Sequence, residues 1–393
     1  MKKKIGQVTY GSDNYGSILQ CYALQRLLDE RNVECQLLKI SDSYITRSFK
    51  ALTRQMKCLK KKVAYPKERK KINQLLTAAA KGTLHLSDIS HRAMRDFCDK
   101  HLNARTISSL KLRRAAEGNE YLGFFSGSDQ IWSANYPVVN PFYFLRFAPS
   151  KKRVAYAPSF GAKEIPAYNR KEFQKYISEY AMLSVREESG AGLINNLVNR
   201  DALTMNDPVF HLKRETWDNL ASCSAFGEKQ NNYCLLFFLN EPNESTKKQI
   251  AQALQTSGLK IRCFAYSYIW KGMSCEFVDG GPEDFLNLIK HSSMVLTDSF
   301  HAMSFSLIFN TPFIAMHRNY SHSSDQSNRL IELLEACGLR SQFIKSGQEI
   351  PKDTSAQINF EQFNQYYSLI QEKAEQFLTD ALNYLEDDNG IVR

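Results

Sequence analysis

Short apolar runs closed off by polar turns alternate along this chain with longer stretches whose apolar residues recur every three or four positions. The short runs at 5–10, 33–40, 121–125, 153–157 and 181–185 predict buried strands in the first half. The same signal returns at 233–239, 259–264, 294–296 and 313–316. Helical spacing predicts helices over 18–31, 167–180, 244–256, 282–291, 300–309, 326–337 and 360–385. Strands that alternate with helices imply βαβ units and parallel sheets, an α/β fold. At 393 residues the chain exceeds one ordinary core, so two Rossmann-like domains are expected, over 1–206 and 207–360. The polar, basic stretch 45–118 has no strand-like run and reads as a helical insertion in the first domain. Residues 361–393 read as a C-terminal helix crossing back to that domain.

The stretch 294–313, MVLTDSFHAMSFSLIFNTPF, organises the rest. It reads as a buried strand, a polar turn whose Asp298 or Ser299 caps a helix, and a helix stopped before Pro312. His301 falls in the first helical turn, at the carboxyl end of a strand, where open α/β sheets place ligands. The free N–H groups of a helix start favour an anion at that place.

Other strand ends carry further candidates. Gly11 and Gly16 bracket the first strand-to-helix loop, with Asn14 and Tyr15 between them, and let backbone N–H groups approach a ligand. The spacing lacks the ending of a nucleotide-binding P-loop and is not G-x-G-x-x-G, so an ordinary turn explains it equally well. Asp129 and Gln130 suit sugar hydroxyls and Trp132 offers an apolar face to a pyranose ring; alternatively 126–129 is a plain turn and Trp132 a core residue. Arg186 ends the strand at 181–185, where its planar fork could clamp a carboxylate or phosphate, or pair with Glu187 or Glu188 at the surface. His317, Arg318 and Asn319 follow the last core strand. Asn206-Asp207-Pro208 reads as the junction between the halves.

Charge changes the picture in one place. The formal net charge is +10, and 47–71 holds eleven Lys or Arg against one acid, Glu68. Such a segment is either a solvated helical face or a contact for anionic lipid headgroups. Aromatic residues do not interleave with the charges, which argues against nucleic acid as a partner. Nine scattered cysteines without a C-x-x-C pair argue for reduced thiols in a cytoplasmic setting and against a metal site. The apolar runs are too short to span a bilayer.

Taken in order, Asn14-Tyr15-Gly16-Ser17 with Gln20 and Ala23-Leu24-Gln25, then 127–132 (GSDQIW), Ser184-Val185-Arg186-Glu187, Asp207-Pro208 and 297–302 (TDSFHA) resemble the motifs of the polysaccharide pyruvyl transferases. The resemblance runs from about residue 5 to about residue 340. It implies a GT-B-like fold with the site in a cleft between two α/β domains. It also implies phosphoenolpyruvate as co-substrate with no other cofactor, a saccharide acceptor that is often lipid-linked, and a cyclic ketal as product in exopolysaccharide or capsule synthesis. On this resemblance His301 matches the catalytic histidine and Arg186 a donor-binding arginine. Better-known members carry arginine two residues before the histidine, where this chain has Ser299. Arg318 or Arg329 is the expected replacement for that lost cation, with Ser299 itself kept among the donor-binding candidates; the alternative is that this subgroup uses a different donor. A nucleotide-sugar glycosyltransferase and an inactive carbohydrate-binding protein are the competing readings, because a fold does not fix a function.

Overall fold

The computed structural model describes residues 3–80, 86–134, 136–227, 232–270, 273–318, 327–345, 347–350 and 358–388. In chain order the first half forms β1 (Lys3–Val8), α1 (Tyr15–Asp29), β2 (Val33–Ile40), α2 (Tyr44–Ala64), α3 (Arg69–Ala80), α4 (Asp88–His101), β3 (Ala104–Ile107) and α5 (Ser109–Glu117). It continues with β4 (Gly123–Ser126), β5 (Arg153–Ala155), α6 (Ala167–Ile177), β6 (Met182–Val185), α7 (Glu188–Val198) and β7 (Leu203–Thr204). The second half forms α8 (Arg214–Ala221), β8 (Tyr233–Phe237), α9 (Glu244–Ser257), β9 (Lys260–Phe264), β10 (Glu276–Val278), α10 (Pro282–His291), β11 (Met294–Thr297) and α11 (Phe300–Phe309). Then come β12 (Phe313–Met316), α12 (Asn328–Ala336), β13 (Phe343–Ile344) and α13 (Glu361–Asp388).

Two parallel sheets result, ordered β3-β2-β1-β4-β5-β6-β7 and β10-β9-β8-β11-β12-β13. Each reverses its winding direction once, between β1 and β4 and between β8 and β11. At such switch points the loops leaving the carboxyl ends of neighbouring strands diverge and leave room for a ligand. The central strands are buried on both faces, which is why they read as unbroken apolar runs.

Stretch 45–118 is not purely helical. β3 pairs with β2 in register Leu37 to Ala104 through Ile40 to Ile107, and α5 follows it. Of β3 only Ile107 is buried, because an edge strand with one covered side carries few apolar residues. Strands β10 and β13 are short edges of the second sheet and were equally silent in sequence.

One continuous apolar cluster runs from the first sheet through α1 into the second sheet, and a second cluster lies under the other face of the first sheet. Tyr15, at the start of α1, is buried among Phe237, Phe264 and Phe285 of the second half, and its hydroxyl donates to Gly280 O at 2.8 Å. The halves are therefore in packed contact where the switch points meet. Helix α13 lies against the first half. Its Leu385 fills the space beside Gly123, and Lys3 pairs with Glu386 at 2.5 Å. No helix among the described residues is long and apolar enough to cross a membrane.

Candidate active site

The turn between β11 and α11 is laced from both sides. Ser299, not Asp298, is the cap: its hydroxyl accepts from the Ala302 N–H at 3.4 Å. Asp298 accepts instead from the Leu239 and Asn240 N–H groups, at 2.7 and 3.1 Å, and so ties β11 to the end of β8. Arg318 closes the same knot, with Nη2 donating to Asp298 O at 2.9 Å and Nε 3.3 Å from Oδ2. Burial pushes the Asp298 carboxyl up from its usual value, against the opposing pull of Arg318 and the two backbone donors.

This frame fixes His301 in the first turn of α11, 8% exposed. Its Nε2 lies 3.5 Å from Asp207 Oδ2, within ion-pair range but outside hydrogen-bond alignment. The other side of the ring rests on α1: a methyl group added at Gly16 would fall 2.0 Å from Nδ1. Only a glycine lets the two helix starts approach this closely. The N-termini of α1 and α11, one from each switch point, thus meet at a histidine, and each contributes a partial positive charge to the spot.

Asp207 is the hub. Wholly buried, it takes Arg186 Nη1 at 2.7 Å on Oδ2, with Ser128 Oγ 3.3 Å from the same oxygen, while its Oδ1 accepts from the Val209 N–H at 3.2 Å. Burial alone would raise its carboxyl, but His301 and Arg186 outweigh that and hold it well below the usual carboxylate range. Arg186 is buried too, its Nε donating to Glu187 Oε1 at 2.9 Å, and its Nη2 has no hydrogen-bond partner. Desolvation opposes its charge, yet Glu187 and Asp207 raise it above its ordinary value. The surface pairing considered for Arg186 is therefore replaced by a buried one. A buried charge is tolerable only when paired in this way. His211 stands behind the hub, with Nδ1 2.9 Å from the Tyr156 hydroxyl; burial pushes its imidazole down to about 4, against the attraction of Asp207.

Phe300 joins this cluster to a neighbouring opening. Its ring lies between the Arg186 guanidinium, 4.8 Å from the centroid, and that of Arg329, at 5.3 Å. Arg329 of α12 borders a small opening with Lys163 and with Glu187, Ser189 and Gly190 around the start of α7. Cations thus stand near the histidine, and Arg186 and Arg318 among them are engaged by carboxylates.

The residues expected to hold a sugar separate into two groups. Asn14 caps α1, accepting from the Ser17 N–H at 3.2 Å, and Ser17 Oγ donates to Asp129 Oδ2. Asp129 also accepts from the Gln130 N–H at 2.7 Å, and the Gln130 side chain packs against Gly161. Asn14, Gly16, Asp129 and Gln130 therefore line one side of the α1 start. Tyr15 and Trp132 do not belong with them. Tyr15 is interdomain core, as described above, and Trp132 is fully buried, stacked on Phe144 at 5.2 Å, with its indole N–H donating to Tyr143 O. Neither ring has a face for a pyranose. Asn319 lies outside the described residues. Among those residues no group of His, Cys, Asp and Glu could hold a metal ion.

Sequence reasoning missed Asp207, Ser128 and Gln20. Gln20 reaches from α1 to accept the Ser128 N–H at 3.1 Å and to donate to Ser17 O at 2.8 Å, joining the glycine-bracketed loop to the 127–132 turn. A signal for Asp207 was present, since it stands among the ordered motifs, but an Asp before Pro reads first as a turn.

The polysaccharide pyruvyl transferase family model matches residues 14–320, from the Asn14 cap to just beyond Arg318. The chain belongs to the polysaccharide pyruvyl transferase family. Membership groups it with transferases and places the His301, Asp207 and Arg186 cluster inside the matched span. Among curated proteins no significant sequence match is found. Solved structures similar to this pyruvyl transferase family member include UDP-GlcNAc 2-epimerase from Neisseria meningitidis bound to UDP-GlcNAc, at 9% identity over 96% of this chain and 99% of that one, with TM-score 0.51. UDP-GlcNAc 2-epimerase from Methanocaldococcus jannaschii matches at 11% identity over 98% and 100%, with TM-score 0.50. Phytolacca americana UGT2 complexed with UDP-2fluoro-glucose and pterostilbene matches at 8% identity over 97% and 99%, with TM-score 0.47. At such identities the likeness to the two epimerases is one of fold alone: two Rossmann-like domains in the GT-B manner.

Proposed function

We propose that the protein transfers the pyruvyl group of phosphoenolpyruvate to two hydroxyls of one sugar in a saccharide, giving a cyclic ketal and inorganic phosphate, in surface or exopolysaccharide synthesis. The observation that carries this reading is the buried cluster of His301, Asp207 and Arg186 where the two helix starts meet, in a chain of this family.

In this reading the first sugar hydroxyl adds to the central carbon of the donor while its proton ends on the methylene carbon, which becomes a methyl group. The second hydroxyl then displaces phosphate, and its proton leaves with the phosphate. His301 carries protons between these partners, a role worth about 10²–10⁴-fold for a well-placed acid-base group. Asp207 stays ionised and orients the imidazole, stabilising it when it takes a proton. Arg186 keeps Asp207 charged and has one donor, Nη2, in reserve for the substrate. Arg329 and Lys163, with the start of α7, suit the donor's carboxylate and phosphate. Ser299 serves as helix cap and has no charge to offer the donor, and Arg318 supports the frame. Asn14, Asp129 and Gln130 face the acceptor, a saccharide carried on a lipid, with the enzyme working on the cytoplasmic side. The chemistry calls for no other cofactor.

The test is direct. Purified protein incubated with phosphoenolpyruvate and an acceptor saccharide is expected to release phosphate and to yield an acid-labile ketal visible by mass spectrometry. Thermal protection by phosphoenolpyruvate supports the donor assignment, since only ligands that prefer the folded state raise Tm. Protection by a UDP-sugar with none by phosphoenolpyruvate overturns it in favour of a nucleotide-sugar donor.

A further inference from the structure

Helix α2 is docked the wrong way round for a soluble helix. Ile45, Phe49, Leu52, Met56, Leu59 and Val63 recur at spacings of four and three, so they form one stripe. That stripe faces solvent: the six are between 54% and 80% exposed. The opposite, cationic face is the one held to the body of the protein. Lys61 donates to Asn169 at 2.7 Å and pairs with Glu172 of α6, Lys57 reaches the same carboxylate at 3.4 Å, and Lys50 pairs with Asp42. Cys58 is the one buried residue of the helix.

An apolar stripe held outward by ion pairs is an unpartnered surface, and the charges beside it indicate what covers it. Helix α2 contains no acidic residue. Lys60 stays exposed at the flank of the stripe and Arg47 and Arg54 stay exposed on the cationic face, and the basic run continues through Lys67, Arg69, Lys70 and Lys71. A second copy of the chain, packed stripe to stripe, would set these cations against one another with no acid to pair them. An anionic lipid surface satisfies both features at once, taking the apolar stripe below the headgroups and the cations among the phosphates. At 21 residues with seven cations the helix lies on a bilayer and does not cross it.

We propose that α2 is an interfacial helix that seats this protein on an anionic membrane surface. The placement suits an enzyme with a lipid-borne acceptor. Helix α2 leaves the carboxyl end of β2, the same edge of the first sheet that bears the Asp129 turn, and its anchor Asn169 also donates to Ala134 O and Tyr136 O in the chain following that turn. The proposal does not rest on the reaction: it concerns where the molecule sits, whatever it transfers.

The experiment is vesicle flotation of the full chain, with phosphatidylcholine alone or mixed with phosphatidylglycerol. Mixed vesicles are expected to carry about tenfold more protein, an excess that high salt removes, because several cations act together near an anionic surface. The double variant Phe49→Ser/Met56→Ser is expected to lose that binding while keeping the wild-type Tm and its turnover of a soluble saccharide. In a separate Phe49→Trp variant, mixed vesicles should move the emission to the blue. Equal binding to both vesicle types, undiminished binding by the double variant, or an unmoved Trp emission would overturn the proposal. So would a wild-type dimer that the double variant splits, since a second copy would then be the occupant. Loss of transfer activity with intact flotation would count against the reaction alone.

Discussion

Every residue of α11 is buried, whereas α2, twice as long, buries Cys58 alone. Helix α11 is buried all round and enclosed by α10, β11, β12 and the start of α1, so its first turn has nowhere to move and His301 is aimed by packing on every side. Helix α2 is amphipathic, yet a few ion pairs hold it with its apolar stripe outward. The contrast separates two uses of apolar sequence. Enclosed on all sides it holds a side chain in one place, as a reacting group requires; left open at the surface it marks a place for a partner.

The sharpest way to break that contrast is at the hub beneath α11. Asp207→Ala leaves the Arg186 guanidinium buried beside Glu187 only, and is expected to cost about 3–5 kcal/mol of stability, the usual penalty for halving a buried ion pair; chemical denaturation measures it. The milder Asp207→Asn adds a pH signature. The wild-type carboxyl is held below its unfolded value of about 3.9, so its stabilisation is complete above that pH and fades as acid approaches the folded value. The stability gap between wild type and Asp207→Asn should therefore be constant near neutrality and shrink below about pH 4. A gap that widens in acid would mean Asp207 is not held as an ion.

Next in size is Leu307→Ala within α11, expected to cost about 2–5 kcal/mol because the enclosed site cannot collapse around the missing atoms. Its counterpart, Leu52→Ala on α2, should stay within about 0.5 kcal/mol, since an exposed side chain leaves no cavity. Similar losses in the two helices would erase the distinction. Between them lies a pH effect. His211 is held neutral with a value lowered to about 4, so the unfolded chain binds its proton first as pH falls from 6.5, and stability should drop between there and pH 4. His211→Gln should flatten that slope; an unchanged slope assigns it elsewhere.

Much of this was legible in the sequence, for reasons that the same two helices illustrate. The strand, cap and helix of 294–313 fell where apolar runs and Asn310-Thr311-Pro312 put them, because a doubly buried strand and a wholly buried helix have few alternatives. The alternation of strands and helices gave the two sheets. The edge strands β3, β10 and β13 were invisible: two to four residues with one covered side leave no periodic trace. In the site, His301 and Gly16 could be placed from strand-end logic, but Asp207 could not be separated from a turn, nor could the burial of Trp132 and Tyr15 be told from exposure, because an aromatic ring looks the same in a core and in a binding cleft. The outward stripe of α2 was hidden by its own charge, which drew attention to 47–71 while the apolar spacing beneath it passed for an ordinary helix face.

The account turns on the imidazole of His301 working against Asp207, and one comparison tests that most directly: phosphoenolpyruvate-dependent phosphate release by His301→Ala beside wild type at saturating acceptor. A fall of about 10²–10⁴-fold with an unchanged Tm is predicted, the range expected when an acid-base group is removed from an otherwise intact site. A folded His301→Ala protein that releases phosphate at the wild-type rate would contradict it.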